Sequence, residues 1–294
     1  MLQIGSVLGS YRLTSLLGSG AMGVVYGAQH ERSGERAAIK VVGIADEETK
    51  LRFEREARAL AAIDDPHVVK LLEVGEHRDA LYYAMEHLEG HDLGVHMQLH
   101  RRMAATDALP YVEQICAGLT AVHARGIVHR DIKPGNVFVC DGLPLSLKLL
   151  DFGLARQVNT QHQLTVGGLG TPLFAAPEQV ANDGRCDHRA DIYALGVVVY
   201  RMLSGEMPFD VPETARALAV FMMPLMRDPI PLAQRCPQID ADIARAVDRC
   251  LTRDPGQRFD SAAELAASFA AAAHRSRSAT LVGVGPAAAR AESP

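Results

Sequence analysis

No two of the five cysteines in this 294-residue sequence (Cys116, Cys140, Cys186, Cys236 and Cys250) make a C-x-x-C pair. An odd, dispersed set in a chain this long reads as reduced thiols of a cytosol rather than a disulfide framework. No stretch reaches about 18 uninterrupted apolar residues, so no helix is expected to span a membrane. The N-terminus, MLQIGSVLGSYRL, lacks a charged segment before a long apolar run and is not a signal peptide. An excess of one charge is also missing: 30 Lys and Arg stand against 35 Asp and Glu, a net charge of -5. A nucleic-acid partner, which prefers a basic face, is not expected. No internal repeat occurs at a solenoid or propeller period. His87, His91, His96 and His100 cluster, and the last two are spaced for one helix face, but H-E-x-x-H is absent. A solvated helix is the expectation there, not a zinc site.

What is present is a 48% hydrophobic chain, enough for one large domain or two lobes with their own cores. The first third alternates apolar and polar residues around glycine-rich turns. Strands are expected at 11–17, 23–29, 36–42, 70–76 and 80–85, interrupted by a helix over 49–63. From Asp92 onward the periodicity is helical, most clearly at 106–124, 190–204, 214–226, 239–251 and 261–273. A small sheet-rich lobe followed by a larger helical one is an α+β layout. Residues 1–10 read as an N-terminal strand or extension. Residues 273–294, rich in Ser, Ala, Gly and Pro, read as a disordered tail or a linker next to a membrane. The run Phe221 to Met226 suits either a soft partner surface or helix packing, and core packing is expected.

Leu17-Gly18-Ser19-Gly20-Ala21-Met22-Gly23-Val24-Val25 follows one strand and leads into another. Glycines there let the backbone bend tightly and approach phosphate oxygens. A dinucleotide fold needs a helix after such glycines, whereas Val24, Val25 and Tyr26 favour a strand. Lys40 lies in an apolar strand, costly to bury unless a carboxylate pairs with it. Phe53, Glu56, Leu60 and Ile63 share one helix face, so Glu56 sits on the inward seam. Glu54 shares a solvated face with Arg58. This geometry selects Glu56 as the expected partner of Lys40.

The most informative stretch is His129-Arg130-Asp131-Ile132-Lys133-Pro134-Gly135-Asn136, between a helix that stops at Gly126 and a strand, Val137 to Val139. Asp151-Phe152-Gly153 begins 15 residues after Asn136. These motifs, in this order and on these elements, resemble the eukaryotic-like protein kinases, and among them the bacterial serine/threonine kinases. The resemblance runs from about Tyr11 to Ala272. It implies a bilobal kinase fold: an N-lobe over 11–86, a hinge over 87–91 and a C-lobe over 92–272. It also implies transfer of the ATP γ-phosphate to Ser or Thr of proteins, with Mg²⁺ (Mn²⁺ as an alternative) as cofactor.

Each role carries over to a residue that matches the motif. Asp131 accepts or orients the proton of the substrate hydroxyl, and Lys133 neutralises the γ-phosphate. Asn136 and Asp151 hold the metal, Lys40 contacts the α- and β-phosphates and is held by Glu56, and the glycines at 18–23 cover the phosphates. Adenine is expected between Val25 and Ala38 on one side and Phe138 on the other. Met85 resembles the gatekeeper, and the backbone of Glu86 and Leu88 would bond the adenine edge. Gly170 to Glu178 resembles the G-T-P-x-Y-x-A-P-E end of an activation segment, with Phe174 in place of tyrosine. Thr171 is implied to touch Asp131 and Lys133, and Thr165 to be the autophosphorylated residue, paired by Arg130. Asp191 is expected to take donors from the backbone near His129, and Arg258 to pair with Glu178. Lys40, Asp131 and Asp151 are all present, which argues against a pseudokinase scaffold. The G-T-P to A-P-E segment argues against a small-molecule kinase. The implied partners are protein substrates and a second copy of the chain in trans. The implied location is the cytoplasm, with a tether to the inner membrane beyond residue 294 as the alternative. Type VI secretion threonine kinases are one candidate group.

Overall fold

The structure, a computed structural model, describes residues 2–20, 23–43, 47–78, 80–152, 172–181, 186–212 and 214–282. The first lobe is a six-stranded sheet in the order β1-β2-β3-β4-β6-β5. Its strands are β1 (Val7–Leu8), β2 (Tyr11–Gly20), β3 (Gly23–His30), β4 (Arg36–Gly43), β5 (Leu71–His77) and β6 (Ala80–Glu86). Neighbours pair antiparallel throughout. Helix α1 (Glu47–Ala61) turns Phe53, Ala57 and Leu60 inward, all at 2% exposure or less, onto a cluster with Val42, Leu81 and Tyr83. Three apolar residues at helical spacing suffice to anchor such a helix, since each large side chain buried contributes roughly 1.5–3 kcal/mol.

After β6 the chain enters the second lobe through β7 (Gly90–Asp92) and α2 (Leu93–Leu99). Asp92 caps α2 by accepting the Val95 amide. Helix α3 (Ala105–His123) leads to the strands β8 (Val137–Cys140) and β9 (Ser146–Leu149), which form a three-stranded sheet with β7. The helices α4 (Pro177–Ala181), α5 (Arg189–Ser204), α6 (Ala217–Met226), α7 (Leu232–Arg235), α8 (Ala241–Cys250) and α9 (Ala262–Val282) follow. Helix α5 is buried nearly all round, as its apolar sequence requires. It passes so close to α8 that a Cβ on Gly196 would lie 2.4 Å from that of Cys250.

Three expectations need correction. Helix α9 continues to Val282, ten residues past the expected end of the folded domain. Arg275 on this extension donates twice to Asp242 of α8, at 3.0 and 2.7 Å, and ties it to the domain. The Met-rich run of α6 is only half core: Met223 packs with Leu173 and Phe209, while Met226 is 73% exposed. The histidines are less solvated than expected. His91 stacks on His96, His100 meets His96 at a tilt, and His96 Nε2 lies 2.9 Å from the Tyr111 hydroxyl. Among the described residues no group of three or more His, Cys, Asp or Glu could hold a metal ion. No described helix is long and apolar enough to cross a membrane.

Candidate active site

The loop 129–136 is tied down by a buried carboxylate. Asp191, at the first turn of α5 and fully buried, accepts the amides of His129 (2.8 Å) and Arg130 (2.7 Å) and lies 2.8 Å from His123 Nε2. A buried carboxylate needs such donors, and the backbone near His129 supplies them as expected. Arg130 and Asp151 both have positive φ, 62° and 54°. Non-glycine residues in this region are uncommon and cost local energy. Here the two flank one cleft.

Within the loop, one Asp131 oxygen, Oδ2, accepts from Lys133 Nζ at 2.7 Å and from Asn136 Nδ2 at 2.8 Å. The same Asn136 nitrogen donates to the Asp131 carbonyl at 2.7 Å. The Leu150 amide donates to the Asn136 carbonyl, which brings Asp151 beside Asn136. Asp151 also feels the Lys133 charge. Lys40, Asp131, Lys133, Asn136 and Asp151 thus form one contiguous group that joins β4 to the loop 129–136.

The partner of Lys40 differs from the expectation. Its Nζ, 3% exposed as a residue, lies 2.7 Å from Asp151 Oδ1, and Asp151 rather than Glu56 is its ion-pair partner among the described residues. Glu56 is half-buried on α1 beside Phe53 and Ala57, on the seam its spacing indicates. Glu54 pairs with Arg58, as the solvated face requires. The physical reason for the exchange is proximity plus desolvation: a buried ammonium takes the carboxylate within direct reach. Asp151 Oδ1 also accepts the Tyr83 hydroxyl at 2.9 Å. Burial pushes the Asp151 carboxyl up, but the Lys40 charge and the Lys40 and Tyr83 hydrogen bonds outweigh it and hold the group below its ordinary value.

The residues expected around the adenine lie on β3, β4, β6, β8 and the connector. Ala38 pairs with Met85 across β4 and β6, and Val25 pairs with Lys40 across β3 and β4. Phe138 on β8 and Leu88 are half-buried nearby in the second lobe and the connector. Sequence reasoning missed how the connector is held: the Glu86 side chain accepts the Lys70 amide at 2.8 Å and pairs with Lys148 Nζ at 2.8 Å. Leu17, Gly18, Ser19 and Gly20 end β2, and Gly20 pairs with Gly23 across the hairpin. A Cβ on Gly23 would meet the Val41 carbonyl at 2.3 Å, whereas at Gly18 and Gly20 it would meet no protein atom within 4 Å. Packing therefore demands the third glycine. The first two leave open space.

The protein kinase domain family matches residues 11–269. The chain belongs to the protein kinase family. Serine/threonine-protein kinase pkn2 of Myxococcus xanthus is 37% identical over 94% of this chain and 34% of the relative. PknJ of Mycobacterium bovis is 34% identical over 92% of this chain and 46% of its own length. PrkC of Bacillus subtilis is 31% identical over 90% and 40%. The chain thus spans about a third to a half of these curated relatives. A crystal structure of Rad53 with AMP-PNP superposes with a TM-score of 0.71 at 24% identity, covering 87% of this chain and 64% of the other, a likeness of fold.

The kinase frame continues into the second lobe. Arg258 grips Glu178 with two hydrogen bonds, at 2.7 and 2.8 Å, as the resemblance implies. Phe174, in place of the usual tyrosine, is buried. Gly153, Thr165 and Thr171 lie outside the described residues.

His129 makes the frame sensitive to acid. Its ring is fully buried against Phe152, with Nε2 2.9 Å from the Leu150 carbonyl and Nδ1 accepting the Asp131 amide at 3.3 Å. These partners assign a neutral ring with its proton on Nε2. Burial lowers its pKa against the pull of Asp191 and Asp131. The unfolded chain binds a proton near pH 6.5, as for any ordinary histidine, and the folded chain does so only at lower pH. The stability this confers is complete above about pH 6.5 and is lost as pH falls through that value toward the folded one. Melting temperatures between pH 7.5 and 5.5 are expected to fall less steeply for His129→Gln than for the unaltered chain. Parallel slopes would refute the assignment.

Proposed function

We propose that this chain transfers the γ-phosphate of ATP to serine and threonine hydroxyls of protein substrates, itself among them. One observation carries the reading: a carboxylate, Asp131, held on a single oxygen by Lys133 and Asn136, beside a second carboxylate, Asp151, clamped by a buried lysine. Phosphoryl transfer asks little covalent work of the protein. It needs in-line positioning and cations against developing negative charge. In this reading Asp131 orients the incoming hydroxyl and takes its proton. Lys133 and Lys40 face the phosphates, with Glu56 as counter-ion to Lys40 once it turns from Asp151. Ala38, Val25, Met85, Phe138 and Leu88 enclose the adenine, and the backbone of Glu86 and Leu88 bonds its edge.

The donor set suits Mg²⁺, with Mn²⁺ as a substitute. The Asn136 amide nitrogen is committed to Asp131, which leaves its carbonyl oxygen, and Asp151 is kept ionised, so two hard oxygen donors are available. When bound, the ion supplies charge that bridges and neutralises the phosphates.

Thr165 is proposed as the autophosphorylated residue, modified by a second copy in trans. Its phosphate would pair with Arg130, whose carbonyl Gln179 already holds at 3.0 Å. Thr171 is proposed to contact Asp131 and Lys133. The proposed location is the cytoplasm, with a tether to the inner membrane as the alternative. The test is incubation with Mg²⁺, labelled ATP and myelin basic protein, followed by phosphoamino-acid analysis and site mapping. Label on serine and threonine, and on Thr165 of the chain itself, is expected. Absence of any transfer would sink the reading. Full activity in chain unmodified at Thr165 would remove that site.

A further inference from the structure

Among the described residues that touch Asp151, Tyr83 is one that no motif singles out. It lies on β6, in the interior of the sheet, directly across from Lys40 on β4. It is 3% exposed, and its ring packs against Phe53 of α1 at a centroid distance of 6.1 Å. A tyrosine held by a central strand and by a neighbouring ring has little freedom to move its hydroxyl. A buried hydroxyl also requires a partner. The partner here is Asp151: Tyr83 Oη donates to Oδ1 at 2.9 Å, the same oxygen that Lys40 holds at 2.7 Å. Neither of these two donors uses Oδ2.

We propose that Tyr83 is a positioning residue for nucleotide-bound metal, its hydroxyl fixing Asp151 so that the free carboxylate oxygen is presented to the cation. The proposal rests on the phosphotransfer reading of the same cleft. Lys40 cannot hold Asp151 and the phosphates equally well, because a single ammonium divides its three donors between them. When Lys40 turns to the phosphates, the Tyr83 hydroxyl remains as a neutral donor on Oδ1. It holds the carboxylate plane without adding a positive charge that would repel the metal. Phenylalanine at this position would fill the same space and lose only that function. The link through Phe53 also couples the placement of Asp151 to that of α1, the helix that carries Glu56.

The experiment compares Tyr83→Phe with the unaltered chain by calorimetric titration with AMP-PNP, once in Mg²⁺ and once in EDTA, so that no turnover is needed. The ratio of the two dissociation constants measures how strongly metal and nucleotide support each other. In the unaltered chain Mg²⁺ should tighten binding. In Tyr83→Phe the EDTA value should stay within about twofold, and the ratio should shrink about three- to tenfold, the size of one net hydrogen bond. Equal weakening in both buffers would show a merely structural role and overturn the proposal. An unchanged or larger ratio would overturn it too, the larger one by showing that the hydroxyl competes with the metal. Should Tyr83→Phe fail to fold, Tyr83→Leu is read by the same ratio. Failure of both to fold would make the hydroxyl a folding requirement and overturn the positioning role. No metal dependence in the unaltered chain would defeat the phosphotransfer reading itself, whereas a normal ratio there with no change in the variant would defeat this inference alone.

Discussion

Replacing Asp131 by asparagine should lower phosphotransfer about 10³-fold while leaving the melting temperature within a few degrees of the unaltered chain. The two halves of that expectation have separate causes. Asparagine has the shape of aspartate, and its amide oxygen can take the place of Oδ2 in front of Lys133 Nζ and Asn136 Nδ2. The bond from Asn136 to the Asp131 carbonyl involves backbone and survives. Little packing is lost, so the fold should persist. The chemistry should not. An amide oxygen cannot take the proton of a substrate hydroxyl at neutral pH, and a positioned base contributes typically 10²- to 10⁴-fold. Two cationic or polar donors, arranged to hold a carboxylate, would then face a neutral group, and the hydroxyl would lose its orientation as well. Initial rates on myelin basic protein, together with melting curves of the same samples, check both halves. Autophosphorylation at the unaltered rate in purified Asp131→Asn would remove Asp131 from the role of base. A lost fold would show that the carboxylate is structural first.

How legible such a site is depends on whether its residues are set by local pattern or by long-range contact. The strands of the first lobe announce themselves through alternation, and α1 through its 53, 56, 60 spacing, so the helix face that carries Glu56 is legible to the residue. The loop 129–136 is legible because charged residues crowd between two apolar elements. The partner of Lys40 is not. Spacing says which face a carboxylate lies on, whereas the choice between Glu56 and Asp151 turns on the relative placement of the two lobes, which no local period encodes. Tyr83 hides for a different reason. In Leu81-Tyr82-Tyr83-Ala84-Met85 it looks like any aromatic of a buried strand, and only its register opposite Lys40 turns its hydroxyl into part of the site. The hold on Glu86 by Lys70 and Lys148 is likewise a contact between segments far apart in the chain. The extension of α9 past Ala272 holds only two alanines, Ala273 and Ala279, and Arg275 there reaches Asp242, a contact between segments that no local pattern announces.

The largest expected effect on stability belongs to Arg258→Ala, roughly 3–5 kcal/mol, or about 10 °C in melting temperature. Arg258 is 1% exposed and its guanidinium is fully engaged. Besides the two bonds to Glu178, it donates to the carbonyls of Arg189 at 3.0 Å, Thr252 at 2.9 Å and Arg253 at 3.1 Å. It also lies over the Tyr193 ring at 5.0 Å. One side chain therefore joins the end of the activation segment, the start of α5 and the turn before α9. Removing it leaves the Glu178 carboxylate buried without a counter-charge and three carbonyls without donors, and both penalties act in the same direction. Lysine should recover only part of the loss, because a point charge cannot span both carboxylate oxygens in parallel. The decisive comparison is the pair Arg258→Met with Glu178→Leu. If the cost of Arg258→Ala is chiefly an uncompensated charge, removing both charges should restore at least half of it, since a buried ion pair adds little over apolar residues of like size. Urea denaturation of the single and double variants makes the measurement. A double variant as unstable as the sum of its parts would mean that the three carbonyls, not the ion pair, set the cost. Arg258→Ala within about 1 kcal/mol of the unaltered chain would mean that the pair is no more than a surface bridge in effect, despite its burial.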